Sequence, residues 1–153
     1  MEILLRKKNF QKIVCFYLFE CPVLFSNGRK VSERGRTFKD RKLDKNGLNS
    51  LVAAMRRCSN ISIYTVKQTP TVPTGVQEYL IIRERSDMSI VNAYYYSIRN
   101  ALAHGSFQFE NGYLSFENKH NGDLKALGRI KDSTLLRWIE LCDMRVSDLK
   151  TAR

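Results

Sequence analysis

The run Ser97-Ile-Arg-Asn-Ala-Leu-Ala-His-Gly-Ser-Phe-Gln-Phe-Glu-Asn-Gly-Tyr-Leu-Ser-Phe116 changes its period part-way along. Up to His104 the apolar residues follow a helical repeat, and Val91, Tyr95, Ile98 and Leu102 form one stripe. Gly105 is a natural stop, because glycine enters the left-handed region without a Cβ clash. From Phe107 the period is 2, and Asn111-Gly112 is the two-residue turn that joins antiparallel strands. With that turn, Phe107, Phe109, Leu114 and Phe116 share one face, and Gln108, Glu110, Tyr113 and Ser115 share the other. The spacing predicts a helix over 88–104, with Ser86-Asp87 as its N-cap, and then a half-buried hairpin.

Downstream, Asn121-Gly122 repeats the turn signal and 124–130 can add a third strand. Asp132 or Ser133 then caps a final helix running to about residue 149, with Leu135, Trp138, Ile139, Cys142, Val146 and Leu149 as its buried stripe. Upstream, Phe10, Ile13, Val14, Tyr17, Leu18 and Cys21 recur at helical spacing until Pro22. A buried strand over 12–19 competes, because that run is aromatic and β-branched, but length and periodicity favour helix. A second helix spans 43–58, with Leu48, Leu51, Val52, Met55 and Cys58 on one face and Arg56 and Arg57 at its negative end. Residues 61–66 form a short strand or extended connection, 69–75 a proline-containing loop, and 76–85 a further helix. The expected architecture is mainly α. It is one domain over 1–153, a helical bundle with a small β-meander over 106–130 inserted before the last helix.

The 153 residues are 43% hydrophobic, enough to bury a core and to exclude wholesale disorder. No apolar run reaches the roughly 18 residues of a membrane span. The most apolar stretch, 13–25, is broken by Glu20 and Pro22 and has no small-residue cleavage site, so a cytoplasmic protein is expected. Cys15, Cys21, Cys58 and Cys142 are scattered without CxxC pairs or a histidine at ligand spacing, which reads as reduced thiols rather than a metal site or disulfide framework. Lys and Arg number 26 against 15 Asp and Glu, a net charge of +11. Much of the excess lies in 29–45, where Arg29, Lys30, Arg34, Arg36, Lys39, Arg41, Lys42 and Lys45 face only Glu33, Asp40 and Asp44. Such a segment attracts polyanions, nucleic acid first and acidic membrane second. A solvated loop and helix surface explains it equally well. Arg34, Arg36 and Arg41 are the candidate nucleic-acid contacts here.

The helix over 88–104 is unusual on the side away from its apolar stripe. Ala93, Ser97, Asn100 and His104 lie there, and Asn100 and His104 are i, i+4 neighbours about 40° apart. A merely solvated face usually carries Lys and Glu, and this helix has neither. The small residues would let another helix approach closely. Arg99 lies at the flank, within reach of a long side chain. Among Tyr94, Tyr95 and Tyr96, the last is nearest the polar face and can stack a base. His120, in a turn between Lys119 and Asn121, reads as a solvated loop residue. Structural roles compete at the motif itself: Arg99 can pair with Glu140, and His104 can cap helix carbonyls. No glycine-rich phosphate loop, carboxylate pair or Ser/Cys triad is evident, and no cofactor is expected.

Arg99-Asn100, three residues and then His104 resemble the Arg-Asn-x-x-x-His signature of the HEPN superfamily. The run from Arg99 to Phe107, with the hairpin and Leu135-Leu-Arg-Trp-Ile139, is similar to a plasmid- and prophage-borne HEPN-like subgroup. The specific motif covers about ten residues, and the wider likeness covers 88–149. The resemblance implies a metal-independent endoribonuclease of a toxin–antitoxin or phage-defence system, a homodimer whose two motif helices build one composite cleft, with an antitoxin protein as a further partner. Arg99 would bind the phosphate, Asn100 would orient, and His104 would act as base or acid near neutral pH. Many such toxins carry tyrosine two residues after the histidine, where a partner nucleotidyltransferase acts. Here Ser106 stands there, which argues against that control and leaves Ser106 as a phosphate contact. The alternative is a non-catalytic HEPN module that binds RNA or a partner protein through the same face.

Overall fold

Both turn asparagines take the left-handed conformation with the glycine that follows: φ is 53° and 79° at Asn111-Gly112, and 51° and 83° at Asn121-Gly122. That backbone matches the right-handed twist of the strands it joins. A computed structural model describes the chain except Met1, Lys42 and Asp44, and the side chains of residues 2–5 and 45 also lie outside the described set. The elements are α1 (Glu2–Phe19), α2 (Lys45–Arg57), β1 (Ser62–Val66), β2 (Tyr79–Arg83), α3 (Ile90–His104), β3 (Phe107–Glu110), β4 (Tyr113–His120), β5 (Asp123–Lys131), α4 (Asp132–Leu141) and α5 (Val146–Leu149). The meander has the expected register, with Phe107 opposite Phe116 and Phe109 opposite Leu114.

The expectation of a mainly α, HEPN-like helical bundle is overturned. The chain is α+β, 38% helix and 23% strand, built on a five-stranded mixed sheet of order β1-β2-β5-β4-β3. The change comes from 76–85, expected as helix. Tyr79-Leu-Ile-Ile-Arg83 is β2, parallel to β1 and antiparallel to β5, with Ile81 opposite Leu127. A short continuous apolar run has no period to distinguish strand from helix, and here the neighbouring strands decide. Leu80, Ile81 and Ile82 are all buried, as in a strand covered on both faces.

Leu80, Ile82, Leu114, Phe116, Ala126 and Ile130 join the helices in one core with Ile13, Tyr17, Leu51, Met55, Tyr95, Ile98 and Trp138. Gly128 lets this layer close, since a Cβ there would stand 2.5 Å from the Phe116 ring. Phe10 of α1 stacks on Phe109 at 4.4 Å and ties down the edge strand β3. On the opposite face the β1–β2 connection crosses the sheet, and its Gln77 carbonyl accepts from Arg129 at 2.7 Å.

Two helix boundaries also differ. The N-cap of α3 is Ser89, whose side chain accepts from the Asn92 amide, rather than Ser86-Asp87. The last helix breaks after Leu141 and restarts at Val146, with no side-chain cap at its start, although Leu135, Trp138, Cys142 and Leu149 are buried as expected. Gly105 closes α3 at φ 69°, and its amide donates to the Ala101 carbonyl. The expected helix over 10–21 starts earlier, in α1, which ends at Phe19, two residues short of Cys21. No helix among the described residues is long and apolar enough to cross a membrane.

Candidate functional site

The polar side of α3 faces its own sheet. Ala93 and Ser97, the small residues expected to admit another helix, are buried within the protomer, and Asn118 Nδ2 of β4 donates to the Ser97 carbonyl at 2.7 Å. Where small residues meet, at Ala93 and Ala126, the layers do not fill the space. A cavity of about 680 Å³ remains, within the ~300–1,000 Å³ usual for ligand sites. Three regions wall it: α3 with Tyr96, Asn100 and His104, the end of β2 and the loop after it with Arg83 to Asp87, and the β4–β5 end with Lys119, His120 and Lys125.

The wall is cationic. Arg83, Arg85, Lys119 and Lys125 stand against Glu84 and Asp87. Arg85 forks onto Asp87, Nε to Oδ1 at 2.8 Å and Nη2 to Oδ2 at 2.7 Å, and this bond holds the Asp87 carboxyl below its ordinary value. Arg83, Lys119 and Lys125 have no ion-pair partner among the described residues. The β4–β5 ladder shifts register between Asn118 and Lys119: Asn118 opposes Ala126 and Lys119 opposes Leu124, so Lys125 is the extra residue of a bulge. Bulges re-aim side chains in this way next to functional sites.

Of the residues singled out in the sequence, Asn100, His104 and Tyr96 line this cavity. Arg99 does not. Its Nη1 lies 3.5 Å from Asn100 Oδ1, the outer limit of a hydrogen bond, and its buried Nε has no partner. Its charge acts instead on the Cys21 thiol, which burial nonetheless pushes up to about 11. Glu140, its suggested partner, is taken by Arg137 at 2.8 Å. Ser106 does not line this cavity; it lines a second hollow with Phe107, Gln108 and Lys119, and Lys119 borders both. Tyr96 carries the Arg85 guanidinium at 4.8 Å and the Phe25 ring edge-on at 5.5 Å, and Arg29 caps Phe25 at 4.6 Å.

None of the described residues of 29–45 lines the cavity. Arg41 pairs with Asp143 and its Nε donates to the Arg36 carbonyl at 3.0 Å. Arg36 donates to the Asp40 carbonyl, and Lys30 lies 3.8 Å from the Asp40 carboxylate. Arg34 and Lys39 are exposed, and Lys42 lies outside the described residues. The residues that sequence reasoning missed are His120, Lys119, Lys125 and Arg83. Their only signal was the second Asn-Gly turn, which fixes the end of β4 but says nothing of what that end meets.

No protein-family model matches the chain, and no curated protein or solved structure matches it.

Proposed function

We propose that the chain is a metal-independent endoribonuclease whose substrate backbone enters the cavity between α3 and the β4–β5 end. The observation that carries this reading is the convergence of His104 and Asn100 with three cations that have no ion-pair partner among the described residues, Arg83, Lys119 and Lys125, around one cavity. Phosphodiester cleavage without a metal needs a proton-transfer group and fixed positive charge where the five-coordinate phosphorus gains negative charge. The imidazole supplies the first and the cations supply the second. The Arg-Asn-x-x-x-His likeness supports the same chemistry, although the helical bundle that came with it is not this fold. The phosphate-binding role passes from Arg99 to the cavity cations. In this reading the protein works in the cytoplasm, in a toxin–antitoxin or phage-defence setting, as a homodimer restrained by an antitoxin protein.

Purified protein incubated with RNA and a chelator tests it. Wild type is expected to leave 2′,3′-cyclic phosphate and 5′-hydroxyl ends, and His104→Ala is expected to lose ~10²–10⁴-fold in rate. Equal cleavage by the variant would overturn the reading. The second reading, a non-catalytic module binding RNA, is favoured by the same cationic wall. It predicts RNA binding without cleavage.

A further inference from the structure

Cleavage of the P–O5′ bond needs two proton transfers: one group takes the proton of the 2′-hydroxyl, and another gives a proton to the departing 5′-oxygen. His104 can be only one of these in a single turnover. The cavity holds a second imidazole, His120, which comes from a different element. His104 ends α3, and His120 ends β4. The bond from Asn118 Nδ2 to the Ser97 carbonyl pins β4 to α3 two residues before His120. The bulge beside it sets His120 opposite Asp123 and turns Lys125 onto the same wall. Neither imidazole has a hydrogen-bond partner among the described residues, and both are exposed to an incoming ligand.

We infer that His104 and His120 of one protomer form the acid–base pair, with Lys119 and Lys125 holding the scissile phosphate between them. This rests on the endoribonuclease reading above. One imidazole takes the 2′-hydroxyl proton as that oxygen bonds to phosphorus. The P–O5′ bond breaks, and the other imidazole, protonated beforehand, gives its proton to the 5′-oxygen. The products are the 2′,3′-cyclic phosphate and the 5′-hydroxyl. The two histidines have exchanged protonation states, and water restores them. The pair is complete in each protomer, so a dimer carries two sites rather than one composite site.

The test compares wild type, His104→Ala and His120→Ala on RNA and on an RNA whose scissile 5′-oxygen is replaced by sulfur, a leaving group that departs without a proton. Each variant is expected to lose at least ~100-fold on ordinary RNA. The sulfur substrate restores one variant, the one missing the acid, and leaves the other slow. A mixture of the two variants stays slow, because every protomer lacks one partner. His120→Ala cutting ordinary RNA as wild type does, while His104→Ala is slow, overturns the pair and leaves the ribonuclease reading standing. Wild type cutting neither substrate overturns both. Two other results also overturn the pair: both variants slow on both substrates, which makes His120 structural, or activity regained on mixing, which puts the histidines on different protomers.

Discussion

Two basic regions of the molecule differ in what their charges meet. Residues 29–45 are dense in Lys and Arg along the chain, yet several of those cations are engaged locally: Arg41 by Asp143, Lys30 by Asp40, Arg36 by a carbonyl and Arg29 by the Phe25 ring. The cavity wall draws its cations one or two at a time from separate elements, and Arg83, Lys119 and Lys125 reach it without ion-pair partners among the described residues. Charge density along a sequence is therefore a poor guide to the field a ligand meets. A cation already facing a carboxylate or carbonyl has little left to offer a phosphate.

The strongest way to break this contrast is to remove the cavity cations. Lys119→Ala with Lys125→Ala is expected to weaken RNA binding at least ~10-fold, since hydrogen bonds to charged groups are worth ~1.5–3 kcal/mol each. The slope of log affinity against log salt should fall by about 1.4 for single-stranded RNA. An unchanged slope in a salt titration would remove the cavity from consideration. Next in size, Arg41→Ala should act on stability, lowering it by about 1 kcal/mol in a denaturant titration, because the charge is used in holding the 29–45 segment to the α4–α5 connection. Smaller still, Asp87→Asn frees Arg85 toward the cavity and should tighten RNA binding ~2–5-fold by filter binding. Acid does the same to the wild type. The stability that the Arg85–Asp87 pair contributes is complete above about pH 4, the ordinary carboxyl value. It is lost as pH falls through the lowered folded value. The smallest effect is expected for Arg34→Ala with Arg36→Ala, about twofold, from exposed charges acting through screening solvent.

The same contrast explains what could be read from the chain. Signals confined to a few neighbours were legible: the Gly105 stop, both Asn-Gly turns, the hairpin register, and the i, i+4 placement of Asn100 and His104. Long-range pairing was not. Tyr79–Arg83 is a strand because β1 and β5 lie on either side of it, and nothing within its own five residues says so. His120 reads as a turn residue because its significance depends on Asn118 finding Ser97, and the helix position of Arg99 suggests a reach to a ligand that its guanidinium, buried at Nε, does not make. The front of α3 is legible as more than a solvated face, but Ala93 and Ser97 on it are buried against the protein's own sheet.

The strand order has a consequence for how the molecule comes into being. β2 ends at Arg83, yet its second neighbour, β5, begins only at Asp123, and α1 at the start of the chain packs on α4, which begins at Asp132. During synthesis the first helix emerges long before its packing partner, and β2 carries an open hydrogen-bonding edge until the final strand leaves the ribosome. Asn118 and His120 arrive on β4 and Lys125 on β5 directly after it, so the cavity wall is completed as the sheet closes. A nascent chain that stops short of β4 is both unfinished as a fold and without the Asn118, Lys119, His120 and Lys125 side of its cavity.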